Sequence, residues 1–347
     1  MGEVLVIKGR REIEFERYDE RKLEPGEVRL RTLYSGISAG TQLTAYRGTN
    51  PFASKKWNGD LRLFERESEN HSFYPVKGAW GYEEVGRVAE IGSAVTQVKL
   101  GDIIYGTWGH RSTHIVSEDF ALNHTLQDGV EPITAIYSQM GCIALNAVLD
   151  ADIHVGEIVA VFGQGVPGQI VTQLAKLNGV TVIAIDANDK RLEYSRKFGA
   201  DITLNAVKCD VSKEIKALTG KRGADTAIEI SGVCNALHEA IRCLTYNGKV
   251  ICSGFLQGGA DGLFLGEEFH HNRIQIICSQ INAVAPGLSH RWNRLRMEKT
   301  IFDLQKSGKL NLRDLITHLI PFSEAAKAYD MLDQGKEDCL QVVLEFR

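Results

Sequence analysis

A glycine-rich turn in the middle of the chain has the residue types and the spacing needed to bind phosphate. The turn reads GQGVPG, with glycines at Gly163, Gly165 and Gly168. The first glycine permits a tight turn, the second lets the backbone approach a pyrophosphate, and the third lets a helix lie close to a sheet. Pro167 suits a first helical turn, where its missing amide hydrogen would have no partner. Together with Val166, these residues predict an anion site at a helix start.

Apolar runs on both sides of the turn predict the strand–helix–strand unit that would position it. A strand is expected at 158–162, a helix at 169–177, and a second strand at 180–185 that ends in Asp186. A carboxylate about 20 residues after the glycines accepts from both ribose hydroxyls of a dinucleotide. Because it also repels a 2′-phosphate, the pattern favours NAD over NADP. Arg191 could soften this preference, although we expect it to pack over the adenine or ribose edge.

Strands and helices alternate through the second half of the chain, which predicts a doubly wound parallel sheet. Ser231 and Gly254 follow two of its strands and are predicted to line the cofactor site. The six strands are expected at 158–162, 180–185, 202–204, 226–230, 249–252 and 274–278.

The first part of the chain predicts a different architecture. Before residue 136, short strands are broken by glycines, which is typical of a barrel-like β domain. A last helix at 323–334, with Ser323 as its N-cap and Gly335 as its stop, precedes a final strand that should rejoin this β domain. The fold class is therefore α/β, with a Rossmann domain at 140–290 and a β domain formed by 1–139 and 291–347.

Composition excludes several classes of partner. The 347 residues carry a formal net charge of −4 and no block of Lys or Arg, so a nucleic-acid partner is not expected. Apolar runs of strand length predict no membrane span, and a charged N-terminal strand is unlike a signal peptide, so we expect a cytoplasmic protein. The seven cysteines lack zinc-finger spacing and are expected to be reduced, buried thiols.

These motifs together resemble the medium-chain dehydrogenase/reductase superfamily, the fold of zinc alcohol and polyol dehydrogenases, over essentially the whole chain. The resemblance implies a GroES-like β-barrel catalytic domain beside the Rossmann domain, and a homodimer or homotetramer. Within the superfamily, the N-terminal motifs are similar to the branch of bacteriochlorophyllide-type hydroxyethyl dehydrogenases and sugar or cyclitol dehydrogenases. The supporting segments are SGIS (35–38), GYEEVGRVAEIG (81–92), GDIIYG (101–106), the glycine turn and LITHLIPF (315–322).

The residues at the zinc-ligand positions of this superfamily are changed here. Zinc enzymes of the superfamily use a cysteine, a GHE motif and a later cysteine or glutamate, where this chain has Ser38, Tyr82 followed by Glu83, and a position near Ser138. A hydroxyl and a phenol are poor ligands for Zn²⁺ at neutral pH. The lobe with four cysteines that holds a structural zinc is replaced by TWGHRST. The sequence therefore predicts no metal at either site.

Without zinc, a side chain must accept the proton of an alcohol substrate. Tyr82 could bind the substrate oxygen but would need a cation or a relay to act as base, and it could also simply fill the space of the metal. Ser38 and Thr41 are candidate relays, and His110 is the candidate titrating group unless it is a surface or second-shell histidine. Glu83 is interpreted either as catalytic or as a structural partner of an arginine.

Polar segments that would rim a cleft point to a polyhydroxylated or anionic substrate. These are residues 47–73, 266–273 and 289–294, and the candidate substrate contacts within them are Trp57, His270, His271 and Trp292. The leading hypothesis is NAD-dependent oxidation of a secondary hydroxyl of a sugar, cyclitol or polyol. The alternatives are a reductase of quinones or activated double bonds and a non-catalytic cofactor-binding protein.

Overall fold

A computed structural model describes residues 1–66, 73–335 and 339–347 and divides the chain into two units. One unit comprises Met1–Gln139 and Ile316–Arg347, and the other comprises Met140–Leu315. The expected boundary between residues 290 and 291 is therefore wrong. Residues 291–315 belong to the second unit because the buried Ile301 packs on Gly141 and because the backbone of Asn311 exchanges two hydrogen bonds with the Gln173 amide.

Short strands and few helices form the N-terminal part. β3 is the central strand of its main sheet, with β7 and β9 paired along it, while β1 joins β2 and β6 in a second sheet and β4 pairs with β5. The elements are β1 (Gly2–Gly9), β2 (Glu12–Tyr18), β3 (Glu27–Ile37), α1 (Ala39–Arg47), β4 (Lys55–Asn58), β5 (Leu63–Arg66), β6 (Val76–Lys77), β7 (Glu84–Ile91), β8 (Ile103–Gly106), β9 (Thr113–Ser117) and α2 (Glu118–Asn123), with 3₁₀ turns at Pro51–Ala53, Gly78–Trp80 and Pro132–Tyr137.

Six parallel strands in the order β12-β11-β10-β13-β14-β15 form the sheet of the second unit, as predicted. Strand β14 begins earlier than expected because Leu244 already pairs with Ala224, ahead of a bulge. The elements are α3 (Ser138–Ala151), β10 (Ile158–Phe162), α4 (Val166–Leu177), β11 (Thr181–Asp186), α5 (Asp189–Lys197), β12 (Ile202–Asn205), α6 (Val211–Leu218), β13 (Ala224–Glu229), α7 (Cys234–Arg242), β14 (Leu244–Cys252), a π turn at Leu265–Phe269, β15 (Gln275–Cys278), a 3₁₀ turn at Pro286–Leu288, α8 (Arg294–Lys306) and a 3₁₀ turn at Arg313–Leu315.

One helical stretch, Pro132–Ala151, is long and apolar enough to cross a membrane by length and composition. Most of its apolar window, 78%, is buried inside the protein, as in the core helix of a globular domain.

The C-terminal segment returns to the first unit, as expected. Strand β16 (Ile316–Pro321) is followed by a 3₁₀ turn at Phe322–Glu324, helix α9 (Ala325–Gln334) and strand β17 (Gln341–Glu345). β17 inserts between β16 and β3, which places the final strand in the main β sheet. Ser323 lies inside the 3₁₀ turn and Glu324 takes the N-cap position, so the predicted cap is wrong. Gly335 ends α9 in a left-handed conformation, as predicted.

Candidate active site

The three glycines of the phosphate turn have three different surroundings. Gly163 ends β10 with a φ of +97°, which L side chains rarely adopt. A Cβ on Gly168 would lie 1.8 Å from the carbonyl oxygen of Gly163, so only glycine lets α4 pack so closely. Around Gly165, by contrast, no described atom beyond its two chain neighbours lies within 4 Å of a Cβ position. This open space at the start of α4, beside Val166 and Pro167, fits a dinucleotide pyrophosphate.

Asp186 ends the neighbouring strand and is fixed in place by the backbone. Its carboxylate accepts hydrogen bonds from the amides of Gln164, at 2.7 Å, and Asn188, at 2.9 Å. Arg191 lies close by, with its guanidinium 3.8 Å from the same carboxylate and 41% of its side chain exposed. The carboxylate is therefore oriented before any ligand binds, at the end of β11 where a ribose would be recognised.

Glu229, at the end of β13, positions the two other predicted cofactor residues. Its side chain accepts the amides of Ser231, at 2.7 Å, and Gly232, at 3.0 Å, and also the Ser231 hydroxyl. Its backbone carbonyl accepts the amide of Gly254, at 2.9 Å. Glu229 was not among the predicted residues, although an acidic residue at the end of an apolar strand was an available signal. Burial raises the pKa of this carboxyl, and the bonds from Ser231 oppose the shift.

Tyr82, Ser38 and Thr41 are brought together in the first unit. The Tyr82 hydroxyl shares a short hydrogen bond with the Ser38 hydroxyl and lies 3.2 Å from that of Thr41. Ser38 stands at the N-cap of α1, yet its side chain makes no capping bond there. Giving up such a cap typically costs about 1 kcal/mol of stability. The Ser38 hydroxyl is thus committed to Tyr82 rather than to its own helix.

Burial raises the pKa of the Tyr82 phenol to about 12, and the charge of the adjacent Glu83 acts in the same direction. The hydrogen bonds from Ser38 and Thr41 oppose the shift without cancelling it. At neutral pH the phenol is therefore a hydrogen-bond donor. To act as a base at that pH, the phenol would need a nearby cation to lower its pKa, and no cation is among the groups that shift the pKa of Tyr82.

Glu83 and Glu84 are both completely buried next to Tyr82 in the chain. Burial and the neighbouring Glu84 raise the pKa of Glu83 well above its usual value, which the Gln341 amide only partly opposes. Within the described residues, neither oxygen of Glu83 makes a well-formed hydrogen bond, so the arginine partner expected for it is not present there. Burial also raises the pKa of Glu84 to about 7, although the hydrogen bond that its carboxylate accepts from the Trp108 amide acts to lower that pKa.

His110 belongs to a separate buried network. One ring nitrogen lies 2.6 Å from the Ser35 hydroxyl and the other 2.8 Å from the Gln42 side chain. The ring is 0% exposed, and burial lowers its pKa to about 3. The expectation that His110 is a titrating group tuned to neutral pH is therefore wrong. The Ser35 hydroxyl also donates to Glu84, at 2.9 Å. Through Ser35, His110 therefore helps to hold the start of β7, two residues after Tyr82.

The donor set at the expected zinc position does not fit that ion. Ser38 and Ser138 offer neutral hydroxyls and Tyr82 offers a protonated phenol, which leaves Glu83 as the only carboxylate of these four. A catalytic Zn²⁺ normally takes three nitrogen, sulfur or carboxylate ligands. Among the described residues, the group of three potential ligands that lie within 4.8 Å of one another is in the second unit, at His238, Glu267 and Glu268.

The four candidate substrate contacts are divided between the two units. Trp57 lies on β4 in the first unit and is 43% exposed, whereas the other three lie in the second unit. His270 and His271 form one helical turn rather than an extended segment, with both side chains on the surface and their rings 5.5 Å apart. Trp292 stacks under Arg296, 4.3 Å from its guanidinium. Of the polar segment 47–73, residues 67–72 lie outside the described part.

Comparison with known proteins gives one consistent family. The family model described as zinc-binding dehydrogenase matches residues 167–296. D-guloside 3-dehydrogenase of Escherichia coli is 34% identical over 341 residues, 95% of each chain. (R,R)-butanediol dehydrogenase of Bacillus subtilis is 28% identical and covers 94% of this chain and 92% of its own.

Solved structures show the same fold at lower identity. The crystal structure of 2R,3R-butanediol dehydrogenase from Bacillus subtilis superposes with a TM-score of 0.78, at 22% identity and 99% coverage of both chains. Galactitol-1-phosphate dehydrogenase from Escherichia coli gives a TM-score of 0.77, at 18% identity and 99% coverage of both. With this fold, the glycine turn of its dinucleotide unit and a relative 34% identical along nearly its whole length, the chain belongs to the zinc-binding dehydrogenases of the medium-chain dehydrogenase/reductase family.

Proposed function

We propose that the protein is an NAD-dependent, zinc-independent dehydrogenase that converts a secondary hydroxyl of a sugar, cyclitol or polyol to a ketone. The observation that carries the cofactor choice is the Asp186 carboxylate, which two backbone amides hold at the end of β11. Support for the substrate class comes from relatives named for a guloside, sorbitol and butanediol.

In this reaction the bound NAD would accept the hydride from the carbinol carbon. The residues of the chain must then hold the substrate oxygen and move its proton. The Tyr82 hydroxyl, with Ser38 and Thr41 as its partners, is the group we assign to that oxygen. Because the phenol is protonated at neutral pH, it donates to a ketone oxygen directly, and it must lose its proton before it can accept one from an alcohol.

Replacing Asp186 by asparagine should lower NADH affinity about 10- to 100-fold, because hydrogen bonds to a charged group contribute about 1.5–3 kcal/mol. The same change removes a repulsion against a 2′-phosphate, so NADPH affinity should hold or improve. Fluorescence titration with NADH and with NADPH measures both values without a known substrate.

Asp189→Asn is the matched control, since that exposed carboxylate lies three residues further along and pairs with Lys208 and Asn205 instead. The control should leave both affinities unchanged. If the parent protein binds NADPH as tightly as NADH, the proposed cofactor choice is wrong.

Alcohol oxidation should accelerate with pH and ketone reduction should not. The pKa of Tyr82 is raised to about 12. At any pH below that value, the fraction of Tyr82 present as phenolate therefore rises tenfold with each unit of increase in pH. Between about pH 7 and pH 10, log kcat/KM for oxidation should therefore rise with a slope near 1. Initial rates in both directions, measured across this range with a substrate found in a sugar and polyol panel, give the two profiles. A bell-shaped oxidation profile centred near neutral pH would point to a different base.

A further inference from the structure

Six aromatic side chains on the first unit join into one cluster that the proposed reaction does not use. Each ring packs against the next with its edge toward the neighbouring face, at centroid distances from 4.9 to 6.2 Å. In order of contact the rings are Trp57, Phe64, Phe52, Trp80, Phe73 and Tyr74. This arrangement fixes the orientation of every ring through its neighbours.

Half of this aromatic cluster faces solvent. Trp57 is 43% exposed, Phe64 is 45% exposed and Phe52 is 39% exposed. The first two stand on the hairpin of β4 and β5, which pairs with no other strand among the described residues. Large aromatic rings left together in water, on a hairpin that does not contribute to a core, indicate a binding surface.

The cluster lines a groove of about 500 Å³, a volume typical of small-molecule sites. Phe52, Trp57, Phe73 and Trp80 supply its aromatic walls, and Pro75 and Val76 also line it. The face of a sugar ring presents C–H groups that carry a slight positive charge, and the face of an aromatic ring is slightly negative. Flat rings along a groove of this size therefore suit a pyranose.

Three lysines, Lys55, Lys56 and Lys77, complete the groove. The ammonium of Lys77 is paired with Glu16, at 2.6 Å. Lys55 makes no ion pair with any residue that the structure describes, and in the hairpin it lies opposite another cation, Arg66, whereas Lys56 lies opposite Glu65. A ligand with a negative group would supply the missing partner.

We propose that this groove binds a pyranose ring that carries a carboxylate, so that the substrate is a glycoside containing a sugar acid. The ring stacks on Trp57 and Trp80, and its carboxylate contacts Lys55, which the alternation of side chains along β4 places on the same face of the hairpin as Trp57. This inference rests on the proposed function, because it names the part of the sugar substrate that is not oxidised.

The backbone links the groove to the reacting tyrosine. Trp80 precedes Tyr82 by two residues, which limits their Cα atoms to a separation of about 7 Å. That distance is the length scale of one sugar unit, so a ring bound in the groove can adjoin the ring that is oxidised. Ala79 and Trp80 have φ values of +47° and +56°. Positive φ values are unfavourable for residues other than glycine, so the surrounding packing must hold this backbone conformation in place.

Binding of methyl β-D-glucuronide, followed by calorimetry, tests the proposal directly. We expect it to bind at least tenfold more tightly than methyl β-D-glucoside, which has the ring without the charge, and acetate, which has the charge without the ring, should not bind. Trp57→Ala and Lys55→Gln should each lose this preference. Lys99→Gln, an exposed lysine of the same unit, should keep it.

NADH titration of every variant separates failure of this inference from failure of the proposed function. If NADH binds and the glucuronide does not bind better than the glucoside, the groove proposal is wrong and the dehydrogenase proposal stands. If the glucuronide binds through Trp57 and no glycoside is oxidised, the groove proposal stands alone. Tryptophan emission that changes with protein concentration but with no sugar would show a contact between two copies and would overturn the groove proposal.

Discussion

Replacing Tyr82 by phenylalanine is expected to lower kcat about 10²- to 10⁴-fold, the usual contribution of a positioned proton donor or acceptor. The ring is only partly buried, and removal of its hydroxyl leaves the aromatic packing intact while Ser38 and Thr41 lose their shared partner. NADH affinity should not change, because Tyr82 is not among the residues assigned to the pyrophosphate and ribose of the cofactor, Gly165 and Asp186. Steady-state kinetics with an oxidised sugar or polyol, together with NADH titration, separate the two effects.

Tyr18→Phe provides the matched control for this variant. It removes a phenol hydroxyl of the same unit, one that donates to the Thr113 carbonyl at 2.8 Å, and so it should change kcat little. Ser38→Ala should give a smaller loss than Tyr82→Phe, since Thr41 remains to orient the phenol. Full activity of Tyr82→Phe would mean that this tyrosine only fills the place of a metal ligand.

The placement of the glycine turn and of Asp186 was predictable because its signals are local. Gly163, Gly165, Gly168 and Asp186 lie within one continuous strand–helix–strand unit, where apolar periodicity fixes the strands and the spacing fixes the turn. Glu229 was missed since its role depends on a neighbouring strand. Its carboxylate lies near the glycine turn only because β13 pairs with β10, and this order of strands cannot be deduced from the sequence.

The residues that lie around Tyr82 were predictable, but the protonation states of this region were not. Tyr82, Ser38 and Thr41 were identified by resemblance, and the structure brings them into contact. The prediction that His110 titrates near neutral pH was wrong because the burial of a side chain depends on the tertiary structure. Ser35 on β3 and Gln42 on α1 enclose that ring from segments far away in the chain, and the desolvation they impose lowers its pKa.

Gly165→Ala is expected to weaken NADH binding by at least tenfold without destabilising the free protein. Its φ of −71° is ordinary for alanine, and the added Cβ meets no described atom within 4 Å beyond the two neighbouring residues of the chain. The methyl group would instead occupy the space into which a pyrophosphate must fit, at the start of α4. NADH titration and urea unfolding of the ligand-free protein measure the two properties separately.

Gly168→Ala is the informative counterpart, because its Cβ would lie 1.8 Å from the Gly163 carbonyl oxygen, which is backbone and cannot swing aside. Overpacking of this kind typically costs about 1–3 kcal/mol, so this variant should lose stability even without cofactor. The contrast between two glycines three residues apart distinguishes a ligand contact from a packing contact. Equal loss of stability in both variants would contradict the open cradle at Gly165, and unchanged NADH affinity in Gly165→Ala would show that the pyrophosphate binds elsewhere.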